Sequence, residues 1–96
     1  MVMTKHSVQR ALERLVGFKG EPNDKMYAYA ERLLTEAVKP CGYISLEGSK
    51  YYAQIDGYDN FRAVVQVSES GVHTIITVMP IKDMRWLVHN TMVMDI

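Results

Sequence analysis

Apolar and polar positions recur along this chain with two different periods, and the change between them falls near Gly42. From Thr4 to Val16, the residues Val8, Ala11, Leu12, Leu15 and Val16 keep the three-and-four spacing of one helical stripe, while His6, Arg10 and Arg14 fall four apart on the opposite side. Thr4 is suited to cap this helix through its hydroxyl, and Gly17 with Gly20 supplies its stop. The segment Gly20-Glu21-Pro22-Asn23-Asp24 reads as a loop in which Asn23 or Asp24 caps a second helix from Lys25 to about Val38. Its stripe is Met26, Ala30, Leu33 and Ala37, widened by Tyr29 and Leu34, and it should stop at Lys39 because a residue before proline avoids the helical region.

After Gly42 the period is alternating. Tyr43 to Glu47, Lys50 to Asp56, Phe61 to Ser68 and Val72 to Met79 read as strands, joined by Gly48-Ser49, Gly57-Tyr58-Asp59-Asn60 and Glu69-Ser70-Gly71. Pro80 closes the last one, because proline cannot donate to a ladder. The expected fold is therefore α+β: two N-terminal helices packed on a four-stranded antiparallel sheet, a meander, followed by an apolar C-terminal tail. Residues 1–96 form a single domain with its core in 1–80 and an extension over 81–96. In the tail, Asp83 is placed to cap a short helix through about Asn90, and Thr91 to Met94 reads as a further extended piece. Trp86, Leu87, Val88, Met92 and Val93 are too much apolar surface to stand in water. They either fold back over the sheet or cover a second copy of the chain. A homodimer is the favoured expectation, since four strands leave an edge to be covered.

Composition narrows the picture. A hydrophobic fraction of 48% fills one core. No apolar run approaches the roughly eighteen residues that span a bilayer, and no secretion pattern opens the chain, so the expected location is the cytoplasm, with no membrane partner. Cys41 is alone, which excludes an internal disulfide and a four-thiolate zinc site, and the three histidines lack metal-ligand spacing. Neither a metal nor a cofactor is expected. The formal net charge of zero weighs against a protein built chiefly to grip a polyanion. Yet the first twenty residues hold Lys5, Arg10, Arg14 and Lys19 against only Glu13, so a local basic patch survives.

That patch suggests chemistry. A row of His6, Arg10 and Arg14 brings a titratable imidazole and two guanidiniums to a phosphate lying along the helix, a set suited to cleaving RNA without metal. The same row also suits the solvated side of an amphipathic helix. On the last strand, counting by two puts His73 and Thr77 on one face with Ile75 between them, beside Tyr52, Gln54 or Lys50 from neighbouring strands. Lys50, Tyr52 and His73 are accordingly the expected substrate contacts.

The opening Lys5-His6-Ser7-Val8-Gln9-Arg10-Ala11-Leu12-Glu13-Arg14, with a closing strand Thr74-Ile75-Ile76-Thr77-Val78-Met79-Pro80, resembles small phage and prophage proteins. Their order of helix, helix, then antiparallel sheet is similar to the RelE- and barnase-like ribonuclease superfamily. The resemblance implies a metal-independent ribonuclease in which His6, Arg10, Arg14 and Thr77 are the catalytic positions. The chain departs from the toxins of that superfamily in its neutral charge and its long apolar tail. A second reading follows from these departures: a phage-encoded, non-catalytic interaction module that binds a host protein through Trp86, Leu87, Val88, Met92, Val93 and a sheet edge. The partner is thus RNA or a host protein.

Overall fold

Two side-chain caps set the helices of the computed structural model, which describes residues 2–45, 50–84 and 91–94. Thr4 lies in extended backbone, and its hydroxyl accepts from the Ser7 N–H at 3.0 Å, opening α1 (Lys5–Ala11). The helix then widens into a π turn over Leu12–Val16, closed by Gly17 at φ +80°. Val8, Ala11 and Leu12 are buried, whereas Val16 is 40% exposed, because the wider turn carries it off the stripe. Asn23 caps α2 (Asp24–Ala37) by accepting from the Met26 N–H at 2.9 Å. Ala30 and Leu34 are its buried residues; Tyr29, expected on the stripe, is 55% exposed.

The antiparallel meander is present as β2 (Val38–Ser45), β3 (Lys50–Ile55), β4 (Phe61–Val67) and β5 (His73–Pro80). The sheet is larger and mixed, however. A two-residue strand β1 (Val2–Met3) pairs parallel with β5, and β6 (Thr91–Met94) pairs antiparallel with β2, giving the order β1-β5-β4-β3-β2-β6. β1 is too short to show a period. β6 covers the β2 edge from within the chain, so that edge needs no second copy; Trp86, Leu87 and Val88 lie outside the described residues, as does the Gly48-Ser49 turn. β2 starts at Val38 rather than Tyr43 because the ladder tolerates Pro40. Its register jumps from Lys39 opposite Gln54 to Gly42 opposite Ala53, leaving Pro40 and Cys41 in a bulge. After Pro80 the chain makes a 3₁₀ turn (Ile81–Met84) that contains Asp83, and the rest of the helix expected through about Asn90 lies outside the described residues.

Both helices pack on one face of the sheet. Ala11 and Leu34 close over Tyr51, Ala53, Ile55, Ala63, Val65, Ile75 and Val78, and the helices meet each other through Val8, Leu12 and Ala30. The opposite face carries a smaller cluster in which Tyr52 and Val64 pack with Ile76 and Met79. Ile75 and Val78 reach the same core although they are three residues apart, because β5 bulges at Ile76: Val65 pairs with Ile75 and Val64 with Thr77. Among the described residues no helix is long and apolar enough to cross a membrane.

Candidate functional site

β1 pairs with Thr74 and Ile75 alone, and beyond them the β5 edge is met by polar groups from the helix side. The Thr4 N–H donates to the Ile75 carbonyl at 3.1 Å and the Thr4 hydroxyl to the Ile76 carbonyl at 3.4 Å. His6 Nε2 lies 3.4 Å from Thr77 Oγ1, and the Arg14 guanidinium donates to the Val78 carbonyl. Arg10 turns away to Glu13, with Nη1 to Oε2 at 2.6 Å. The predicted row is therefore divided. His6 and Arg14 meet adjacent residues of β5, and Arg10 belongs to a surface ion pair that is worth at most about 1 kcal/mol. Arg14 satisfies an edge carbonyl that has no strand partner, which is a structural task for a group expected to hold phosphate.

The bulge also separates residues that strict alternation had put together. His73 sits opposite Val67 on the helix side, and its Nδ1 is 2.8 Å from the Tyr51 hydroxyl, the two rings meeting edge-on at 5.5 Å. Tyr51 is almost completely buried, and that burial pushes its phenol up from the ordinary 10.0. His73 is thus a core partner of Tyr51, and its expected place beside Lys50 and Tyr52 is corrected. Thr77 pairs with Val64, which in turn pairs with Tyr52, so Thr77 lies on the face away from the helices.

The register lays out that face row by row. Lys50, Gln66 and Thr74 form one row across β3, β4 and β5; Tyr52, Val64 and Thr77 form the next; Gln54, Arg62 and Met79 form the third. Neighbouring strands stand ~4.8 Å apart, so each row spans about 10 Å. Among the residues of these three strands no carboxylate stands on this face, and the charges they bring to it are those of Lys50 and Arg62. Tyr52 is buried among Val64, Ile76 and Met79, so its ring is packed rather than offered for stacking. Arg62 escaped the sequence reading. Its Nη1 donates to the carbonyls of Asp59 at 3.1 Å and Phe61 at 2.8 Å, and it has no carboxylate partner among the described residues. The alternation Arg62, Val64, Gln66 against Ala63, Val65 was the signal that would have found it.

Two clefts lie elsewhere. One of about 470 Å³ is lined by Asn60, Phe61, Pro80, Ile81 and Lys82. Another of about 490 Å³ is lined by Lys5, Gln9, Glu21, Pro22, Asp24 and Tyr27, where burial, and then the Glu31 carboxylate, raise the Tyr27 phenol. Neither is lined by His6, Arg10 or Arg14. Among the described residues no group of three or more His, Cys, Asp or Glu is placed to hold a metal ion. No family model, curated protein or solved structure matches the chain.

Proposed function

We propose that this chain is a ribonuclease-like protein that engages RNA on the face of β3, β4 and β5 turned away from α1 and α2. The observation that carries the reading is the carboxylate-free face bearing Lys50, Arg62, Gln54, Gln66 and Thr74, with the His6 imidazole beside the Thr77 hydroxyl at its β5 rim. Lys50 and Arg62 neutralise phosphates and the amides meet base edges. His6 takes the proton of the 2′-hydroxyl as that oxygen attacks phosphorus, the bond from phosphorus to the 5′-oxygen breaks to leave a 2′,3′-cyclic phosphate, water protonates the departing 5′-oxygen, and Thr77 orients the imidazole. Arg10 can join the phosphate when its exposed pair with Glu13 opens, whereas Arg14 keeps its edge carbonyl. The sequence of two helices followed by a meander agrees with what a relationship to RelE- and barnase-like proteins of phage origin would require.

The neutral net charge favours a second reading, a phage-encoded module that binds a host protein through its apolar C-terminal segment, including Met92 and Val93, or through self-association into a dimer. One assay separates the two. Labelled single-stranded RNA is incubated with the protein in excess EDTA, alongside His6→Ala and Lys50→Glu. The ribonuclease reading predicts cleavage that survives the chelator and falls about 100-fold in His6→Ala. It also predicts, for Lys50→Glu, weaker binding and a salt dependence shallower by about one counterion. Absence of both binding and cleavage by the wild-type chain overturns it in favour of the protein-binding reading.

A further inference from the structure

At the end of the meander where β4 begins and β5 stops lies the cleft of about 470 Å³, with Phe61 packed on the helix-side core. Phe61 and Pro80 stand opposite each other in register, one step beyond the Gln54, Arg62 and Met79 row. The Ile81 N–H donates to the Asn60 carbonyl at 2.8 Å, which ties the 3₁₀ turn to the loop before β4 and fixes the two walls relative to each other. Ile81 is 41% exposed, a large aliphatic side chain left in contact with water. The lining thus combines an aromatic ring, a pyrrolidine and a branched aliphatic group with one amide and one ammonium.

We infer that this cleft holds a nucleotide, its base against Phe61, Pro80 and Ile81, its base edge at the Asn60 amide and its phosphate at Lys82. The inference rests on the RNA reading and names where a nucleotide would be held. The volume falls within the range of small-ligand sites, which pair apolar walls with a few polar groups. A flat base matches an apolar slot on its faces and an amide on its edge, and a phosphate matches an ammonium. A purely aliphatic ligand would leave Asn60 and Lys82 without a role. Asp59 and Asp83 adjoin the cleft in sequence but do not line it, so among the described lining residues the one charge is that of Lys82.

The test is an amide-resolved NMR titration of the full chain with adenosine monophosphate and cytidine monophosphate, with adenosine and inorganic phosphate as separate probes. Shifts are expected at Asn60, Phe61, Ile81 and Lys82 with a dissociation constant of about 1 mM. Lys82→Ala should weaken the monophosphates about threefold to tenfold and leave adenosine unchanged, since only a partly exposed ion pair is lost. Ile81→Ser should abolish adenosine binding and reduce each monophosphate to the affinity of inorganic phosphate, with the rest of its spectrum unchanged. Equal shifts from phosphate alone overturn the inference, because they show an anion on Lys82 and no base pocket. If an RNA oligonucleotide shifts Lys50, Gln66 and Thr74 while the monophosphates leave the cleft silent, the pocket fails and the RNA reading stands. Silence toward both overturns both.

Discussion

On the helix side of the sheet, Tyr51, Ala53, Ala63, Val65, Ile75 and Val78 are sealed beneath Ala11 and Leu34, and the polar group of Tyr51 is satisfied by His73. On the other side, the same strands present Lys50, Gln54, Arg62, Gln66, Thr74 and Thr77 around a thin apolar patch of Tyr52, Val64, Ile76 and Met79. The first face holds the molecule together, and the second has chemistry left over. What divides them on β5 is one extra residue. Without the bulge at Ile76, Thr77 would share the face of His73 and Ile75, and Val78 would leave the core.

The largest effect that sharpens this comparison is energetic. Leu34→Ala should cost about 3 kcal/mol in denaturant unfolding, as expected of a fully buried leucine, whereas Gln66→Ala on the far face should change stability by less than about 0.5 kcal/mol. Comparable losses at the two positions would erase the distinction. Deletion of Ile76 comes next. With the extra residue removed, the shortened β5 becomes a regular strand that keeps Ile75 and Val78 inward and Thr77 outward, and the protein folds with a loss of less than about 3 kcal/mol. Were β5 a regular alternating strand, the same deletion would exchange the faces of Thr77, Val78 and every residue after them and leave no cooperative unfolding transition. Arg14→Met should cost about 1–2 kcal/mol from an orphaned Val78 carbonyl, together with concentration-dependent association seen by sedimentation. RNA binding should be nearly unchanged; a loss as large as that of Lys50→Glu would restore Arg14 to the phosphate.

Much of the frame was legible from local chemistry. Thr4 caps the first helix as expected, Asn23 proves to be the cap among the two candidates Asn23 and Asp24, and Gly17 ends the first helix, because caps and left-handed stops depend on neighbouring atoms only. The meander from β2 to β5 followed from alternation. The errors arose where one residue resets a period. The π turn moved Val16 outward, Pro40 and Cys41 hid the start of β2, and Ile76 sent His73 and Thr77 to opposite faces. β1 was missed because Val2 and Met3 form a strand only through their partner β5, a contact made across more than seventy positions. The site was legible in part. His6 and Thr77 do meet, while the tasks of Arg14 and Arg62 depend on carbonyls that no spacing rule names.

The most direct test of the account is to map where RNA touches the chain. In an amide-shift titration with a short single-stranded RNA at low salt, the perturbed residues should be Lys50, Gln54, Arg62, Gln66, Thr74 and Thr77, with His6 responding at the rim. Perturbations concentrated on α2 or on the Arg10 side of α1, with β3, β4 and β5 unmoved, would contradict it.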